Sequence, residues 1–118
     1  MTNRRTTEQL LDLFQRAKPS ETHLFLANHC SESHLHAHVF KELLRSEQID
    51  FTHERTTRSV VFDNKRIIFD GLDFPRYRGR GFHVTVDHHA LENLPTAQLK
   101  HLKHYFQSVT GLSSVLKT

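Results

Sequence analysis

At Ile49 the spacing of apolar residues changes, and the change restricts this chain to a fold that joins helices to a sheet. Upstream the period is helical. Thr6 offers a capping hydroxyl with Gln9 as its capping-box partner, and Leu10, Leu11, Phe14 and Ala17 recur at helical spacing until Pro19. Further on, Leu35, Val39, Phe40, Leu43 and Leu44 share one helical face, with His34, His38, Lys41 and Arg45 opposite. Downstream of Ile49 the period is two. Phe51 and His53 alternate with polar neighbours, and residues 58–62 and 66–69 flank Asp63-Asn64-Lys65, which reads as a three-residue hairpin loop.

The remaining segments fit the same alternation. Residues 23–27 (HLFLA) form a short apolar run of buried-strand type, followed by a polar turn over 28–33. Residues 70–81, punctuated by Gly71, Pro75, Gly79 and Gly81, read as a loop, and 82–87 as a strand. Pro95 opens or immediately precedes a last helix in which Leu99, Leu102, Tyr105, Phe106 and Val109 make the buried stripe and Gly111 the stop, leaving 112–118 as a frayed tail. The expected fold is α/β, a single small domain over residues 1–118. It comprises a short mixed sheet with a β-hairpin and about three flanking helices.

Composition limits what such a domain can do. An apolar share of 36% and a mean hydropathy of −0.55 imply a thin core, although nine Phe residues argue against disorder. The single cysteine, Cys30, excludes an internal disulfide framework and favours a reducing compartment. No apolar run has transmembrane length and the N-terminus lacks a signal-type apolar core, so the expectation is a cytoplasmic protein without membrane association. The net charge of +3 excludes the 11 His, so acidification makes the chain much more cationic. His36 and His83 are the candidates for imidazoles held neutral in the core.

The clearest positive clue is basic. Arg76, Tyr77, Arg78 and Arg80 combine guanidinium groups with an aromatic ring in a loop, a combination suited to phosphates and bases. Lys100 and Lys103, with His101 and His104, make a second basic stripe on the last helix, and Arg4, Arg5 and Arg16 add to the N-terminal end. DNA or RNA is the partner this implies, with a protein partner as the alternative. For metal, His34 and His38 form an i,i+4 pair, and Asp87 and His88 cluster at a strand end. Nothing has the spacing of a structural zinc motif. No cofactor is expected, and a divalent metal is the alternative.

Two resemblances bear on activity. From about residue 22 to 94 the chain resembles the P-loop NTPase core of the large-terminase and helicase family. Residues 59–69 (SVVFDNKRIIF) stand for that family's hairpin, Gly71-Leu72-Asp73 and Arg78-Gly79-Arg80-Gly81 for its Arg-Gly loop, and 82–90 (FHVTVDHHA) for the strand with its acidic end. The resemblance implies that Asp87 holds Mg²⁺ through water and that His88 occupies the place of the catalytic glutamate. It also implies a phage or mobile-element setting. No G-x-x-x-x-G-K-[ST] occurs, and Met1 stands too close upstream to leave room for one, so the expected core is degenerate and does not hydrolyse ATP. Residues 82–87 also alternate like a half-exposed strand, unlike the doubly covered central strand of a motor. The second resemblance is to the HUH nucleases. His34, His36 and His38 would share one face of a strand and hold a metal, but the helical period that continues through 41–47 opposes it. The resulting expectation is a non-catalytic nucleic-acid-associated accessory protein. The alternatives are a protein-interaction module that modulates a host or motor protein, and an HUH-type or other His-metal nuclease.

Overall fold

A computed structural model describes residues 4–71, 79–92 and 106–110. The elements run α1 (Arg4–Arg16), β1 (Thr22–Ala27), α2 (Cys30–Ser46), β2 (Thr52–Glu54), β3 (Ser59–Phe62), β4 (Lys65–Gly71), β5 (Gly79–Val86), α3 (His88–Glu92) and β6 (Phe106–Thr110). The strands form one mixed sheet of order β2-β3-β4-β1-β5-β6. Strands β4, β1, β5 and β6 are parallel, and β2-β3-β4 is antiparallel. This is the small α/β fold expected from the change of period.

Helices α1 and α2 cover one sheet face. Leu10, Leu13 and Ala17 of α1 and Ala37, Phe40 and Leu44 of α2 close over Phe25, Val60, Phe62, Ile67 and Phe69. The rings of Phe40, Phe62, Phe69 and Phe25 pack together at centroid distances of 5.5–6.1 Å. Each fully buried ring contributes about 1.5–3 kcal/mol, so a low apolar share still yields a core. On the other face Leu24, Leu26, Ile68, Val84 and Val86 are buried too. Strands β1 and β4 are therefore mainly apolar on both faces, as doubly covered parallel strands are.

Several sequence expectations shift. Leu11 and Leu35 point outward at 40% and 39% exposure, while Leu13 and Ala37 take the core places. The angular offset that selects i+3 over i+4 depends on the neighbouring helix, which spacing alone does not specify. Thr6 lies inside α1 and does not cap it. The hairpin turn has two residues, with Phe62 paired to Lys65 and both Asp63 and Asn64 at positive φ. That is the primed turn whose twist matches the strands. The expected loop over 70–81 is shortened from both ends, by β4 reaching Gly71 and β5 starting at Gly79.

The polar side of 83–87 does not face solvent, since Thr85 and Asp87 are buried along with Val84 and Val86 and His83 is half-buried. The polar face of β5 lies under α1, where Arg16 reaches the Thr85 hydroxyl at 3.5 Å and Thr6 reaches Asp87 at 2.6 Å. The stripe expected to continue a helix through Phe106 and Val109 instead ends in β6, paired parallel to β5. Phe106, Val109 and Thr110 suit a strand on a pleated surface, and the pairing satisfies backbone groups along β5. Leu99, Leu102, Tyr105, Gly111 and the tail over 112–118 lie outside the described residues.

Candidate functional site

The chain leaves β1 through α2 toward the β4 side of the sheet and leaves β5 toward β6 on the other side. The carboxyl ends of β1 and β5 therefore make a topological switch point, where open α/β sheets place ligands. Asp87 follows β5 at this point. Its amide donates to Leu26 O at 2.8 Å, and its Oδ1 accepts from the Thr6 hydroxyl at 2.6 Å. Gln9 braces the same turn, donating to Val86 O at 2.9 Å and accepting from the His88 amide at 2.7 Å. Thr6 and Gln9, read from sequence as a capping box, thus fasten α1 to the end of β5.

Across from Asp87 stand two side chains from the first turns of α2. Glu32 and His36 are i,i+4 neighbours, and one ligand atom each from Glu32, His36 and Asp87 lie within 4.8 Å of one another. His36 is 4% exposed, its ring set edge-on to Phe25. Its Nδ1 has no hydrogen-bond partner, and its Nε2 is 3.9 Å from Asp87 Oδ2, too far for a hydrogen bond. Burial pushes the His36 imidazole below its ordinary range, against the opposing pull of Asp87 and Glu32. Among the described residues this is the one three-ligand group of metal-binding type.

The expected metal residues divide accordingly. Asp87 belongs to the group, but His88 turns away to Glu92 at 3.0 Å and to Arg5. His34 and His38 are exposed on α2. The strand that would align His34, His36 and His38 for an HUH site is a helix, so their ring directions fan out and that geometry is lost.

On the other flank of α2 a cavity of about 300 Å³ is lined by Ser33, His34, Ala37, His53, Arg55, Arg58 and Phe69. Lys41 Nζ lies 3.1 Å from His53 Nδ1. Partial desolvation lowers the His53 pKa, and the charges of Lys41, Arg55 and His34 lower it further. Arg58 sits at φ 53°, a left-handed conformation that costs a bulky residue about 1–2 kcal/mol. From there its guanidinium reaches Asp70 Oδ1 at 3.3 Å and Cys30 Sγ. Asp70 also accepts the Gly71 amide at 2.9 Å.

Of the residues expected to contact nucleic acid, Arg76, Tyr77, Arg78, Lys100 and Lys103 lie outside the described residues. Arg80 is placed by its backbone alone, in β5. Arg55 and Arg58 escaped grouping because they lie in the turn between β2 and β3, where no period applies, and His53 was legible only as a strand residue. Glu32 carried a usable signal, its i,i+4 spacing to a histidine on the buried face. A scan against protein-family models and searches of curated proteins and of solved structures find no match to this chain.

Proposed function

We propose that this protein is a nucleic-acid-associated accessory protein that takes phosphate groups into the basic cavity beside α2 and does not hydrolyse nucleotide. One observation carries the reading: His34, His53, Arg55 and Arg58 line one opening with Lys41 against His53 beside it, and the charges of Lys41, Arg55 and His34 add to desolvation in depressing the His53 pKa. A phosphate oxyanion relieves that crowding, and exposed Arg55 is the cation best placed to meet it. In the sequence, Arg76, Tyr77, Arg78 and Arg80 combine guanidinium groups with an aromatic ring, a composition that suits the same class of polyanionic partner. The P-loop resemblance supports a nucleic-acid setting, while the absence of a phosphate-loop motif supports a binding role without turnover.

Fluorescence anisotropy with single- and double-stranded oligonucleotides across a salt series tests this. Affinity should fall steeply with salt, and Arg55→Ala with Lys41→Ala should flatten the slope by about one for each phosphate no longer neutralised. The His53 ring resonances should report a higher pKa in the complex. Salt-independent binding, or no binding at low salt, would move the assignment to a protein-interaction module.

A further inference from the structure

We propose that Glu32, His36 and Asp87 form a binding site for a divalent transition-metal ion of the manganese or zinc kind. The site is separate from the basic cavity and does not depend on phosphate binding.

The first support is a mismatch in the core. His36 Nδ1 is a buried polar atom with no partner, and Nε2 faces a carboxylate oxygen across 3.9 Å. A buried imidazole that makes no hydrogen bond is costly, and the nitrogen an ion here would engage is Nε2, the one turned to the Asp87 carboxylate. The gap is too wide for a hydrogen bond, yet two ligand bonds of about 2.1 Å from a shared ion span it.

The second support is preparation of the ligands. Thr6 binds Asp87 Oδ1 and leaves Oδ2 toward His36, and the Asp87 amide is fixed to β1. This is the outer-shell support that orients a metal-binding carboxylate. Glu32 and His36 leave one helix a turn apart, so neither must move far to converge. Glu32 is only partly buried and gives the site an opening toward solvent.

The donor set selects the ion. One imidazole nitrogen with two carboxylates favours borderline ions such as Mn²⁺ and Zn²⁺ over Mg²⁺ or Ca²⁺, which take oxygen ligands. The two acidic groups offset the ion's charge in a setting where burial would otherwise oppose it.

The test uses the ions themselves and the whole chain. Substoichiometric Mn²⁺ added to ¹⁵N-labelled protein should broaden first the amides of Glu32, His36 and Asp87. Calorimetry with Zn²⁺ should give one site per chain. Glu32→Gln, which alters a partly exposed side chain and should fold, ought to weaken that site by about tenfold or more. The exposed pair His34→Ala with His38→Ala should leave it unchanged. Broadening centred on His34 and His38, no binding by the wild-type chain, or full affinity in Glu32→Gln would each overturn the assignment.

Discussion

Two aspartates stand at the carboxyl ends of the strands that flank β1, and their surroundings differ. Asp70, in β4, has the Arg58 guanidinium at 3.3 Å and its neighbour's amide at 2.9 Å. Asp87, after β5, has a neutral Thr6 hydroxyl and an imidazole too distant to bond. Both are about fully buried, at 0% and 1% exposure, so exposure does not explain the difference. A buried carboxylate requires compensation, which the protein supplies at one site and leaves open at the other. The sheet accepts a strained Arg58 to neutralise Asp70, and the carboxylate it leaves uncompensated stands at the switch point.

The largest expected effects separate the two aspartates directly. Arg58→Ala strands the Asp70 carboxylate and should lower stability by about 2–4 kcal/mol in urea denaturation. Asp87→Asn keeps an acceptor for Thr6 and removes a buried charge, so in the presence of chelator it should change stability by less than about 1 kcal/mol, or raise it. Comparable large losses for both variants would erase the contrast and make Asp87 an ordinary structural carboxylate.

Next in size is the dependence on pH. Burial lowers the pKa of His36 and also of His23, which packs on His83 at 5.0 Å and contacts Glu21. Each folded pKa lies below the unfolded value near 6.5, so the unfolded chain binds more protons in the interval between them. Stability from these groups is present above that value and is lost as pH falls through the folded pKa. Melting temperature should therefore drop between pH 7.5 and 5.5. Glu21, lowered mainly by the Lys18 amide and then by His23, and Glu54, lowered mainly by Arg66, act in a separate window below the ordinary carboxylate range near 4.5. A melting temperature that rises on acidification to pH 5.5 would mean that carboxylate partners outweigh burial at both histidines.

What could be read in advance follows the reach of each signal. Period and turn residues located α1, β1, α2 and the hairpin, because their causes lie within a few residues. Asp87 was legible as a strand-end acid. Its partners were not: Thr6 and Gln9 looked like local caps, and their contacts run more than seventy residues along the chain. His36 was legible as a core histidine, but nothing local ties it to β5. Arg58 was invisible, since arginine is not a residue that sequence rules place at positive φ. The final strand failed for a related reason, because Phe106 and Val109 keep helical spacing and only the long-range pairing with β5 overrides it.

The smallest effect offers a cleaner background for the contrast. Helix α2 closes on Gln48 at φ 57°, with the Ile49 amide donating to Leu44 O at 2.9 Å and the Gln48 amide to Arg45 O at 3.0 Å. This is the left-handed helix stop that glycine usually fills, because a Cβ is disfavoured there. Gln48→Gly should therefore raise stability by about 0.5–1 kcal/mol, less whatever entropy the more flexible unfolded chain regains. The substitution lies at the opposite end of α2 from Glu32, about 24 Å away at 1.5 Å per residue. At that distance its effect should add to those of Arg58→Ala and Asp87→Asn and leave Mn²⁺ broadening and oligonucleotide affinity unchanged. Non-additivity with Asp87→Asn in urea denaturation would show that the two ends of α2 communicate, and the Asp70 and Asp87 surroundings could then no longer be compared as independent sites.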